Sequence, residues 1–163
     1  MAISVLLIED NSGDARLMRE VLHAANSTVH LLVVSDGVEA MEFLKHEGVH
    51  VSAPRPDLIL MDLNLPKMDG RELLACIKED GSLRTIPIIV LTTSNAEADI
   101  VKCYQLGASC YLCKPGELNE FERLVESINR FWLTQAKLPP VRARVVPADD
   151  SASTAMIEDM SVR

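Results

Sequence analysis

Four places in the chain carry ionic or hydroxyl side chains at or just past the end of an apolar run. Glu9-Asp10 follows Ile3–Ile8, Asp62 follows Leu58–Met61, Thr92-Thr93 follows residues 86–91, and Lys114-Pro115 follows residues 110–112. Brought together, these ends would collect three carboxylates, a hydroxyl and one ammonium in one pocket. Two unit charges about 4 Å apart interact by roughly 4 kcal/mol at the effective dielectric of a partly exposed site. Such a cluster therefore needs a compensating cation, and oxygen ligands that leave room for several waters suit magnesium. Lys114 adds a positive charge able to move between a carboxylate and an incoming phosphoryl oxygen. In that setting Asp62 can attack phosphorus and form an acyl phosphate. Magnesium, Lys114 and the Thr92 hydroxyl would stabilise the charge on the transferring group. An ionised carboxylate is already nucleophilic, so no general base is required.

Singly, these residues say little. An Asp at a strand end often serves a turn or cap, a Thr suits any strand, and a Lys before Pro suits a solvated loop. The weight lies in the conjunction, and the conjunction requires a particular scaffold. In open parallel sheets the ligand site lies beyond the carboxyl ends of the strands. The apolar runs Ile3–Ile8, Val29–Val34, Leu58–Met61, 86–91 and 110–112 are near-continuous rather than alternating, as expected for strands covered on both faces. Between them lie helical patterns over 16–25, 38–47, 71–80, 97–106 and 119–133, the last carrying Phe121, Leu124, Val125, Ile128, Phe131 and Trp132. A strand followed by a helix, repeated, argues for an α/β domain with a parallel sheet.

Residues 1–136 are read as this one domain. The connection 48–56 is longer than a strand–helix unit needs, and Pro54 and Pro56 bar helix there. Pro139-Pro140 breaks the chain away from the last helix, and residues 137–163 read as a tail, flexible or ordered by a partner.

With 163 residues, 48% of them apolar, a sizeable core is available and wholesale disorder is excluded. A net charge of −8 disfavours direct nucleic-acid binding. No apolar run approaches a membrane span, and the N-terminus has no basic segment or cleavage site, so a cytoplasmic protein is expected. Cys76, Cys103, Cys110 and Cys113 are expected as free thiols. Cys110 and Cys113 form a CxxC, but positions i and i+3 of a strand face opposite sides, so small buried residues are expected rather than a metal site. His23, His30, His46 and His50 show no metal spacing and read as surface or loop residues.

The stretches Val5-Leu6-Leu7-Ile8-Glu9-Asp10-Asn11, Asp57-Leu58-Ile59-Leu60-Met61-Asp62-Leu63-Asn64-Leu65-Pro66, Met68-Asp69-Gly70, Ile86-Pro87-Ile88-Ile89-Val90-Leu91-Thr92 and Lys114-Pro115 resemble the receiver domain of bacterial two-component response regulators. The resemblance runs from Ile3 to about Leu133. It implies a flavodoxin-like (βα)5 fold, with the sheet in the order 2-1-3-4-5. It implies Asp62 as phosphoacceptor, Asp10 as main magnesium ligand with Glu9 beside it, and the Asn64 carbonyl as a further ligand. Thr92 would be the switch hydroxyl, Lys114 the phosphate-contacting lysine before a cis peptide to Pro115, and Tyr111 the aromatic switch. Gly116 stands where many relatives carry Phe, which touches the rigidity of that loop rather than the chemistry. Ser94 occupies a position that, with Asn64, tunes how long the acyl phosphate lasts.

A narrower resemblance rests on Pro54-Arg55-Pro56-Asp57-Leu58, on Asp62-Leu63-Asn64-Leu65-Pro66-Lys67 and on Phe131-Trp132-Leu133. These look like the small regulators that serve phytochrome-type histidine kinases, including bacteriophytochromes, and that often form homodimers. The tail cannot hold a helix-turn-helix, so output is expected through protein contact, with Phe131 and Trp132 as dimer-surface candidates. Two other readings stay open. One is a phosphorelay intermediate that passes the phosphoryl group to a histidine phosphotransfer protein. The other is a phosphatase with an aspartyl nucleophile, although such enzymes usually carry an acid where this chain has Asn64.

Overall fold

The computed structural model describes residues 2–140. Reading of the 141–163 part of the tail lies outside the described residues.

The strands are β1 (Ile3–Ile8), β2 (Val29–Val34), β3 (Leu58–Met61), β4 (Ile88–Thr92) and β5 (Cys110–Cys113). They alternate with α1 (Ser12–Ala25), α2 (Gly37–Lys45), α3 (Gly70–Glu79), α4 (Glu97–Gln105) and α5 (Leu118–Arg130). All pairings are parallel, and the sheet order is β2-β1-β3-β4-β5. This is the flavodoxin-like arrangement that the resemblance implies.

Strand side chains alternate between two cores. Leu6 and Ile8 of β1 point into one, with Phe43 of α2 and Leu73, Leu74 and Ile77 of α3. Val5 and Leu7 point into the other, with Met18 and Leu22 of α1 and Phe121, Val125 and Ile128 of α5. Because both faces are covered, the strands carry no polar alternation, which is why they read as unbroken apolar runs.

Helix starts are set by caps. The side chain of Asn11 accepts from the Asp14 N–H at 3.0 Å, starting α1 four residues before the apolar periodicity begins. Asp36 and Asp69 do the same for α2 and α3. β4 begins at Ile88 rather than at 86, since Pro87 has no N–H for a ladder and the Ile86 N–H bonds back to Leu83. The helical pattern over 119–133 ends as α-helix at Arg130. Phe131–Gln135 widens into a π turn that buries Leu133 and bonds the Ala136 N–H to the Phe131 carbonyl. The 48–56 connection holds a short 3-10 turn, Gly48–His50, whose His50 ring packs on Phe43 at 5.3 Å. No helix among the described residues is long and apolar enough to cross a membrane.

Candidate functional site

Register brings the strand ends to one edge. Ile8 pairs with Met61, Met61 with Val90, and Thr92 with Cys113. The ladder continues past these ends: the Glu9 N–H bonds to the Val34 carbonyl at 3.0 Å, Asp62 to Ile8 at 3.1 Å and Lys114 to Thr92 at 2.7 Å. Glu9, Asp62 and Lys114 are thus each held by sheet backbone while their side chains project beyond the sheet. The loop after Asp62 folds tightly over α3. The Gly70 N–H donates to the Leu63 carbonyl at 2.8 Å. A Cβ at Gly70 would lie 2.5 Å from the Asp62 carbonyl oxygen, so only glycine allows this approach.

Lys114 is the hub. Its ammonium donates to Glu9 Oε2 at 2.5 Å, to Asp62 Oδ2 at 2.8 Å and to Asp14 Oδ2 at 3.1 Å. The lysine side chain is 5% exposed and that of Asp62 10%. Burial alone would lower the Lys114 pKa, but the hydrogen bonds to Asp62 and Glu9 outweigh it and hold the ammonium charged above its ordinary value. Burial pushes the Glu9 carboxyl up, and the bond from Lys114 pulls against that shift. The Asn11 N–H also donates to Glu9, at 3.1 Å, and the Asn64 N–H donates to Asp62 Oδ1 at 3.2 Å.

Glu9, Asp10 and Asp62 each offer a carboxylate oxygen within 4.8 Å of the others. Four carboxylates, counting Asp14, face a single ammonium around a cavity of about 590 Å³. The donor set is all hard oxygen and in excess negative charge, which fits a divalent cation of the magnesium, calcium or manganese type.

Of the residues expected at the site, Glu9, Asp10, Asp62, Asn64 and Lys114 line this cavity together. Thr92 does not. It is fully buried, and its hydroxyl has no hydrogen-bond partner among the described residues. Its neighbour Thr93 reaches the cavity wall instead. Tyr111 lies away from the carboxylates, half-buried, its hydroxyl donating to the Ser94 carbonyl at 2.8 Å. Phe131 and Trp132 meet edge to face at 5.4 Å, far along the chain from the cavity, with Phe131 53% exposed.

Two expectations are corrected. The Lys114–Pro115 peptide is trans, as are all peptides among the described residues. Trans is the isomer an X–Pro bond favours by about 0.5–1 kcal/mol. Cys110 and Cys113 are free, as expected, but they are half-buried and exposed rather than buried. β5 is the sheet's last strand, so its residues are covered from fewer sides.

Asp14 went unnoticed in the sequence, and Thr93 stood there only as the neighbour of Thr92. The signal for Asp14 is slight: an acid in the first turn of the helix that opens at the acidic pair. Asp14 meets its partner, 100 residues away, only in the fold.

The family profile of the response regulator receiver domain matches residues 5–128. Response regulator Rcp1 of Synechocystis sp. is 46% identical over 135 residues, which span 83% of this chain and 92% of Rcp1. The crystal structure of the manganese-bound form of Rcp1 superposes with a TM-score of 0.82 at 45% identity, covering 85% of this chain and 99% of that one. The crystal structure of the phosphorylated cyanobacterial phytochrome response regulator RcpA superposes with a TM-score of 0.83 at 46% identity, covering 86% of this chain and 100% of that one.

Proposed function

The chain belongs to the response regulator receiver family, and on that premise we propose that Asp62 is its phosphoacceptor, charged by a sensor histidine kinase in a magnesium-dependent reaction. The observation that carries the proposal is the Lys114 ammonium 2.8 Å from Asp62 Oδ2, inside the oxygen cluster of Glu9, Asp10 and Asp62.

Glu9, Asp10, Asp62 and the Asn64 carbonyl would hold the magnesium ion. When bound, the ion neutralises charge on the transferring phosphoryl group. Asp62 contributes the attacking carboxylate oxygen. A P–O bond forms to it as the P–N bond of the kinase phosphohistidine breaks, and the electron pair leaves with the histidine nitrogen, which takes a proton. Lys114 then donates a hydrogen bond to a phosphoryl oxygen. The Thr92 hydroxyl, which has no hydrogen-bond partner among the described residues, would turn towards the cavity and donate to another phosphoryl oxygen. Tyr111 follows Thr92 as a switch. The chemistry is confined to the protein's own Asp62, so the chain acts as a signalling phosphoprotein rather than an enzyme on outside substrates.

The likeness to Rcp1 and to the phytochrome regulator RcpA supports a phytochrome-type histidine kinase as donor, and a receiver that meets such a kinase would act in the cytoplasm. An exposed Phe131 beside Trp132 supports a homodimer through the end of α5. If Trp132→Ala leaves the mass in solution unchanged, that surface is excluded.

The test of the phosphoacceptor is incubation with a small phosphodonor and magnesium, followed by intact mass. A labile adduct of one phosphoryl group is expected. No adduct, or one that persists in Asp62→Asn, overturns the proposal.

A further inference from the structure

Lys114 uses three carboxylates, and they are not equivalent. Glu9 and Asp62 belong to the oxygen cluster that suits a divalent cation, together with Asp10. Asp14 lies outside that cluster, on the first turn of α1, at 3.1 Å from the ammonium. An ammonium has three hydrogens to donate, and here each finds a carboxylate.

A cation in the cluster and the Lys114 ammonium would compete for the carboxylates of Glu9 and Asp62, and they repel each other. The ammonium must give way without leaving the cavity, because a buried charge stripped of its partner is strongly destabilising. Asp14 is the partner that the cation does not take. Its place is set by its own N–H, bonded to Asn11 Oδ1 at 3.0 Å, and by the helix N-terminus, which favours a carboxylate there. Its side chain is 37% exposed, against 4% for Glu9, so it lines the solvent-facing part of the cavity.

We propose that Asp14 is a positioning residue for Lys114: it receives the ammonium when a divalent cation takes Glu9 and Asp62, and keeps it in reach of the phosphoryl oxygens. The inference deepens the phosphoacceptor reading of this site and rests on it. Asp14 touches neither the metal cluster nor the reacting atoms and acts only through the lysine.

The test is a cycle of wild type, Asp14→Asn, Lys114→Gln and the double variant. Each is titrated with Mg2+ alone by calorimetry and then charged with acetyl phosphate, with intact mass followed over time. With Lys114 present, Asp14→Asn should weaken Mg2+ binding about threefold or more, because the lysine then has only the cluster oxygens to hold. It should also slow adduct formation, and Asp14→Glu should restore both. In the Lys114→Gln background the same Asp14→Asn change should move Mg2+ affinity far less. Equal weakening in both backgrounds would mean a long-range charge effect and overturns the proposal, as does no weakening in either. A wild type that binds Mg2+ with the predicted coupling but takes no phosphoryl group refutes the phosphoacceptor reading and leaves the positioning role of Asp14 standing.

Discussion

Tyr111 and Ser94 are joined by a hydrogen bond from the phenol to the main-chain carbonyl, 2.8 Å long. The bond ties β5 to the loop two residues past Thr92. The Ser94 hydroxyl in turn donates to Asp99 Oδ2 at 2.6 Å, and Asp99 Oδ1 accepts from Arg71 at 2.7 Å. Arg71 also holds Asp69, the cap of α3. One polar chain thus links the loop after β4 to the first turns of α3 and α4.

Ser94→Ala should expose the pH sensitivity of this chain. The Ser94 hydroxyl, and next the Arg71 guanidinium, hold the Asp99 carboxyl below the ordinary aspartate value of 3.8. The unfolded chain therefore binds the proton first as pH falls, and stability rises with pH across this window. The contribution is complete above the ordinary value and is lost as pH drops through the lower folded one. Ser94→Ala should raise the Asp99 pKa towards 3.8, read by carboxyl NMR titration. The stability gap between the two proteins should be open at neutral pH and close in acid. A gap that persists at the acid end means the chain does not act through Asp99.

Thr92→Val tests the orphaned hydroxyl. A buried hydroxyl without a partner carries a desolvation penalty of about 1–3 kcal/mol, and valine removes it in nearly the same shape. In the uncharged protein, Thr92→Val should be neutral or more stable by about 1 kcal/mol in denaturant unfolding. The variant should still form the Asp62 adduct, more slowly, and lose the change at Tyr111 that follows, read by its NMR signals. A destabilisation of several kcal/mol would show that the hydroxyl already has an acceptor.

Gly70→Ala should be disproportionately harmful for one added methyl. Its Cβ would press on the Asp62 carbonyl oxygen and on Leu63 Cα, both backbone atoms that cannot swing aside. Overpacking of this kind costs about 1–3 kcal/mol. The displaced Asp62 should also bind Mg2+ more weakly. Gly81→Ala, where a Cβ meets nothing within 4 Å, is the control and should leave both properties unchanged.

The parallel sheet, its five strands among the described residues and the meeting of Glu9, Asp10, Asp62 and Lys114 in one cavity are legible in the chain because burial on both faces demands unbroken apolar runs. Such runs end where the sheet meets solvent, so the first polar residue after each one marks an end. Caps blurred the helix starts: Asn11 begins α1 through one side-chain hydrogen bond, a local event that apolar periodicity does not record. The relations between distant residues had no such signature. The grip of Asp14 on Lys114, the sealing of Thr92 while Thr93 meets the cavity, the trans bond before Pro115 and the turn that buries Leu133 but exposes Phe131 all arise only on folding. Each depends on where a side chain lands once the sheet has twisted and its helices have packed. The order of the elements and the identity of the reactive groups are therefore properties of the chain, written in its burial pattern. Which carboxylate holds the lysine, and which hydroxyl is left waiting, are properties of the packed molecule, because they rest on distances between residues that chain order leaves far apart.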